Sequence, residues 1–96
     1  MELHVIARFH ARPGTEAEVE AAIRQVSGPT GAEPDCVGYE LLRSTRDGAL
    51  FFIHSRWTDE AAFERHATLP HTLRFLATVQ PLIDHPLDVT RSRQII

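Results

Sequence analysis

The chain has no lysine and a single cysteine among its 96 residues. A lone Cys36 closes no internal disulfide and builds no cysteine-based metal cluster. It suits a reducing cytoplasm, where disulfides are rare. The ten basic residues are all arginine, and they are scattered along the chain. With a formal net charge of -3 and a pI near 6.0, nothing draws the chain to nucleic acid or to anionic lipid. No run approaches the ~20 apolar residues that a membrane span needs. The opening MELHVIARFHARPG carries acidic and histidine residues where a signal peptide needs a long apolar stretch. The expectation is a soluble, cytoplasmic protein with neither a nucleic-acid nor a membrane partner.

What is present is one compact unit. The length allows one domain, residues 1–96, and not two. A chain this short buries only about 60–65% of its unfolded surface, so its own core is small and self-association would help it. The hydrophobic share, 43%, is ordinary for a globular domain.

Residues 3–12 alternate, with Leu3, Val5, Ala7, Phe9 and Ala11 on one side and His4, Ile6, Arg8, His10 and Arg12 on the other. Period two means a strand with one apolar face, and Pro13-Gly14 ends it. Thr15 and Glu18 read as a capping box. Val19, Ala22, Ile23 and Val26 then follow at helical spacing. That helix is expected to stop near Ser27-Gly28-Pro29, leaving residues 28–35 as loop. Val37 to Ser44 is a second strand, and Arg46-Asp47-Gly48 a hairpin turn in which Asp-Gly takes positive φ. Leu50 to Trp57 is a third strand. Thr58 or Asp59 caps a helix bearing Phe63 and His66. Pro70 starts another, bearing Leu73, Phe75, Leu76 and Val79, and Leu87 to Ile95 is the last strand.

The order is β-α-β-β-α-β. It predicts an α+β, ferredoxin-like split βαβ sandwich, with one antiparallel sheet and helices on one face. The other sheet face mixes apolar with polar residues and has no helix to cover it. A second copy packed against it would make a homodimeric α+β barrel, through Ile6, Arg8, Phe52 and His54.

The densest chemistry lies between His54 and His71, HSRWTDEAAFERHATLPH. Trp57, Phe63, His66 and His71 there suggest a pocket for a flat, partly polar organic molecule. Neutral imidazole accepts and donates, which suits a general base, and His66 shares a helix face with Phe63. A surface or helix-ending histidine is the plainer alternative for each. His4, His10 and His54 lie on strands without metal-finger or HxxxH spacing, so no metal site is assigned, and His85 reads as loop. Cys36 has no base beside it in the sequence, and Ser55 lacks a G-x-S-x-G elbow.

The Arg-Pro-Gly-Thr turn after the first strand, Gly38-Tyr39-Glu40-Leu41, Trp57 closing the third strand, Phe63 and His66 on the next helix, and Leu69-Pro70-His71 together resemble the antibiotic biosynthesis monooxygenase family. The resemblance spans nearly the whole chain. It implies a dimeric α+β barrel and a cofactor-independent monooxygenase that oxidises a hydroquinone- or anthrone-like aromatic with molecular oxygen as co-substrate. On that reading His66, His71 and Ser55 are catalytic. Trp57, Phe63, Phe75, Ile53, Ala7 and Tyr39 bind the small aromatic substrate. Ser55 stands where many members carry an acidic residue, and Ile53 where anthrone-oxidising members carry Asn. Haem-degrading relatives use an Asn where this chain has Ala7, so that activity is not expected. A non-catalytic small-molecule-binding barrel and an isomerase of a small hydroxyketone are the alternatives.

Overall fold

The structure, a computed structural model, describes residues 1–96. Four strands, β1 (Leu3–His10), β2 (Cys36–Arg43), β3 (Leu50–Trp57) and β4 (Asp88–Ser92), form one sheet in the order β2-β3-β1-β4. Every neighbouring pair is antiparallel. Helix α1 (Glu16–Gly31) joins β1 to β2. Helices α2 (Glu60–His66) and α3 (Pro70–Val79), with a 3-10 turn at Gln80–Leu82, join β3 to β4. This is the ferredoxin-like split βαβ arrangement.

The alternation in β1 does what period two requires. Leu3, Val5, Ala7 and Phe9 are buried beneath the helices. The register opposes Leu3 to Trp57, Val5 to Ser55, Ala7 to Ile53 and Phe9 to Phe51, so all eight share the helix-covered face. Burial there falls into two clusters. One gathers Phe9, Ile23, Phe51, Val79 and Ile83. The other, at the opposite end of β1, gathers Leu3, Val5, Trp57 and Ala62.

Four local expectations are corrected. Helix α1 runs on through Gly28 and Pro29 to Gly31. Proline removes one backbone donor, but the Ala32 N–H still reaches the Gly28 carbonyl at 3.2 Å, and buried Thr30 anchors the last turn. The capping box does not form. Thr15 Oγ1 instead lies 2.8 and 2.9 Å from the Arg12 and Leu82 carbonyls, and Glu16, not Glu18, accepts from the Gly14 N–H. The β2–β3 turn uses no positive φ; Gly14, at 87°, is the residue that does. Ser44 Oγ accepts from the Arg46 and Asp47 N–H groups, and Asp47 from Ala49, so side-chain oxygens shape that turn. Strand β4 ends at Ser92 because Ser92 pairs with His4, one residue from where β1 begins.

Asp59 is the cap of α2, accepting from the Ala62 N–H at 2.8 Å. Pro70 occupies the first turn of α3, as proline favours. The short Ala67–Leu69 link therefore turns the chain between His66, the last residue of α2, and His71, the second of α3.

A candidate active site beside a helix-covered cavity

Between the two core clusters lies a cavity of about 340 Å³, near the small end of ligand pockets (roughly 300–1,000 Å³). Its floor is the sheet face, with Val5, Ala7, Phe9, Ile53 and Ser55. Its roof comes from all three helices, with Val26 and Thr30 of α1, Phe63 and His66 of α2, and Thr72, Phe75 and Leu76 of α3. Tyr39 closes one side, and Leu87, Val89 and Arg91 line the β4 side.

His66, Ser55, Phe63, Phe75, Ile53, Ala7 and Tyr39 thus all line this one cavity. Trp57 and His71 do not. Trp57 is buried behind the wall, 4.6 Å from the His66 ring and edge-on to Phe63. His71 lines a separate groove between α1 and α3. It joins the site through a shared partner.

That partner is Glu33, in the segment between α1 and β2. One carboxylate oxygen, Oε2, lies 2.7 Å from His66 Nδ1 and 2.7 Å from His71 Nε2. The three side chains are largely enclosed, at 12%, 13% and 20% exposure for Glu33, His66 and His71. An ionised carboxylate only accepts. Each imidazole then donates to it, and in a neutral His66 that places the ring proton on Nδ1. Nε2 is left with a free lone pair, on a ring that lines the cavity. Thr72 Oγ1 makes a longer contact, 3.3 Å, to the same Nδ1.

Ser55 is buried, and its Oγ accepts from the Trp57 indole N–H at 3.0 Å. Its own O–H is still able to donate into the cavity. Burial pushes the Tyr39 phenol up to about 12, against a smaller opposing pull from the Ser27 hydroxyl. At neutral pH Tyr39 is therefore a donor and not a base. Burial likewise raises the Cys36 thiol, and its Sγ sits 3.5 Å from the Gly38 carbonyl. A thiol held in its neutral form is a poor nucleophile.

Thr30 is 1% exposed, and its hydroxyl has no hydrogen-bond partner. Ser27 and Thr78, on the same kinds of helix, each turn back to the carbonyl four residues earlier. Thr30 does not. An unpaired buried hydroxyl costs about 1–3 kcal/mol, and a polar atom of a cavity ligand is the partner that would remove that cost. At the rim, the Arg91 guanidinium stacks over Phe63 at 5.2 Å and meets Glu60 and Glu64, each at 3.2 Å.

Glu33, Thr30 and Arg91 are absent from any reading of the sequence pattern. Glu33 and Thr30 fall in what reads as a featureless Gly/Pro loop, and Arg91 is one exposed arginine among ten.

A model of the family described as antibiotic biosynthesis monooxygenase matches residues 2–78. The chain belongs to that family. The span takes in Glu33, both site histidines and every cavity residue except those of β4 and the segment before it. The "Putative monooxygenase Rv0793" of Mycobacterium tuberculosis is 35% identical over 86 residues, which cover 90% of this chain and 84% of that protein. The solved structure of Rv0793 superposes with a TM-score of 0.94 at 30% identity, covering 100% of this chain and 97% of that one. PA3566 from Pseudomonas aeruginosa gives a TM-score of 0.91 at 30% identity, covering 99% and 95%. The family fold is therefore present end to end, with β4 included. No helix is long and apolar enough to cross a membrane.

Proposed function

We propose that this chain is a monooxygenase that oxidises a hydroquinone- or anthrone-like aromatic with molecular oxygen and without a cofactor. The observation that carries the reading is His66. Its ring lines the cavity, Glu33 holds its proton on Nδ1, and the free Nε2 is a base ready to accept a phenolic or enolic proton. Family membership and the name of the 35%-identical relative support the reaction class.

The chemistry balances on the substrate's own electrons. His66 Nε2 takes the proton, and the resulting electron-rich anion reduces oxygen. A quinol and O2 give a hydroxyquinone and water; an anthrone and O2 give an anthraquinone and water. One oxygen atom enters the ring system, and the other leaves as water. The protein supplies a base, an apolar slot of Phe63, Phe75, Ile53 and Ala7, and hydroxyl donors for the developing oxyanion in Ser55 and Tyr39. Trp57 backs the slot, and His71 acts through Glu33.

The working unit in this proposal is a homodimer in a reducing cytoplasm. The helix-free sheet face carries exposed Ile6 and Leu42 around Phe52, which pairs with Arg8 on one side and Leu42 on the other. A second copy of that face is the cover such a patch calls for.

The test has two arms. Oxygen uptake is followed with a panel of quinols and anthrones at neutral pH. Binding is followed by the fluorescence of Trp57, the sole tryptophan, whose ring lies against His66. Uptake with one substrate class establishes the reading. Saturable quenching with no uptake makes the chain a binding barrel, and neither response overturns the site.

A further inference from the structure

The geometry points to a second role for one corner of this site: Glu33, His66 and His71 form a binding site for a divalent transition-metal ion of the zinc type. The inference rests on the arrangement of donors and not on the oxidation chemistry above. Glu33 Oε2, His66 Nδ1 and His71 Nε2 all lie within 4.8 Å of one another. They come from three separate elements and are mostly shielded from solvent. Zinc bonds to such atoms at about 2.0–2.2 Å, which sets donors roughly 3.3–3.5 Å apart around a tetrahedron. The two 2.7 Å contacts reach that spacing by opening about 0.6–0.8 Å, with the two imidazole nitrogens, within 4.8 Å of each other, settling around the ion. Two imidazoles and one carboxylate suit zinc, cobalt or nickel, whereas magnesium and calcium seek all-oxygen sets.

Convergence separates this cluster from the two other histidine clusters. His4 Nδ1 lies 3.0 Å from His54 Nε2, but Glu2 approaches the opposite nitrogen of His4 at 3.7 Å. His10 has Asp84 on Nδ1 at 2.6 Å and Asp47 on Nε2 at 2.8 Å. In both, the acidic group and another donor sit on opposite edges of one ring, so no single ion reaches all three. Around Glu33 each imidazole turns one nitrogen toward the same carboxylate oxygen.

Occupancy would change the cavity wall. Ligation through Nδ1 requires that nitrogen to be unprotonated, so the proton moves to Nε2. The neutral ring keeps one proton and only its position shifts. His66 Nε2 then donates where it would otherwise accept. Metal binding and the base role of His66 exclude each other at one ring.

The experiment is a titration of chelator-treated protein with Co2+, read by the visible ligand-field bands of four- or five-coordinate cobalt and by their loss on adding Zn2+. No substrate or turnover is needed, so the result is independent of the oxygenase reading. The expected outcome is a 1:1 band whose affinity falls at least about tenfold (1.4 kcal/mol) in Glu33→Gln and in His71→Ala, and is unchanged in His54→Ala. Circular dichroism checks that each variant is folded, and His71→Asn replaces His71→Ala if the latter is not. No band in the wild-type protein, a band that survives both Glu33→Gln and the His71 variant, or a band lost in His54→Ala would overturn the site.

Discussion

Two histidine–carboxylate clusters of opposite composition sit at different places in this fold. At the cavity, one carboxylate serves two imidazoles, Glu33 between His66 and His71. At the far end of β1, one imidazole serves two carboxylates, His10 between Asp84 and Asp47. The first leaves imidazole nitrogens spare, and one belongs to a ring on the cavity wall. The second uses both nitrogens of its ring, so no lone pair is left for chemistry. It instead ties the β2–β3 turn and the segment before β4 to the end of β1, and His85 Nε2 adds to the tie by accepting the His10 backbone N–H. Donor arithmetic, more than the presence of histidine and acid together, separates a site from a latch.

The largest difference should appear when each central histidine is removed. A positioned general base contributes about 10²–10⁴-fold, so His66→Ala should lower oxygen-dependent turnover on that scale while His10→Ala leaves it unchanged. Equal losses in the two variants would dissolve the comparison. The next effect is on stability. Trp57 is 1% exposed, packs against Phe63 and His66, and donates to Ser55. Trp57→Ala should cost about 3–5 kcal/mol in urea unfolding. A cost below ~1 kcal/mol would show that the cavity end of the fold is loosely packed and that His66 needs no wall behind it.

The unequal legibility of the two clusters has a physical cause. Strands declare themselves by alternation, and β1 and β3 carry enough of it to place Ala7, Ile53, Ser55 and Trp57 on one face. Helical spacing brings Phe63 and His66 to the same side. Glu33 has no period to betray it. It sits in a short connection, and it meets His66 and His71 only because β2 folds back beside β3 and brings that connection against the end of α2. The capping box misleads for a related reason. Thr15 has the right chemistry and spacing, but the Leu82 carbonyl, 67 residues away, claims its hydroxyl. Gly28 and Pro29 signal a helix end, yet tertiary burial of Thr30 carries α1 past them. Local pattern reads local competition well and cannot see a distant partner.

A smaller effect than that of His66→Ala is expected at the shared carboxylate. Glu33→Gln keeps the size of the side chain and removes its charge. A hydrogen bond to a charged group is worth about 1.5–3 kcal/mol, so kcat should fall roughly tenfold to a hundredfold with little change in KM. Glu33 contacts His66 and does not line the cavity, so under the proposed mechanism the loss belongs in kcat. Glu33→Asp should recover part of it if its shorter carboxylate still reaches His66. A change confined to KM would mean that Glu33 shapes the cavity and does not orient the base.

The smallest effect is on the latch, and it is read by pH. Hydrogen bonds to Asp84 and then Asp47 hold the His10 pKa above its ordinary value. The Ala49 N–H and then His10 lower Asp47, and His10 lowers Asp84. A raised histidine stabilises the fold fully below its unfolded-state pKa, near 6.5, and that contribution disappears as pH rises through the folded value. A lowered aspartate stabilises above its unfolded-state pKa, near 3.9, and that contribution disappears as pH falls through the folded value. The latch is thus strongest between about pH 4 and pH 6.5 and weakens on both sides. The gap in melting temperature between the wild-type protein and His10→Gln should be widest in that window and shrink toward pH 9, with turnover unaffected throughout. Asp84→Asn should narrow the gap within the window, because Asp84 is the larger cause of the His10 shift. A gap that stays constant from pH 5 to pH 9 would mean that His10 holds the turn by shape alone, and its charge would then have no part in setting this cluster apart from the one at Glu33.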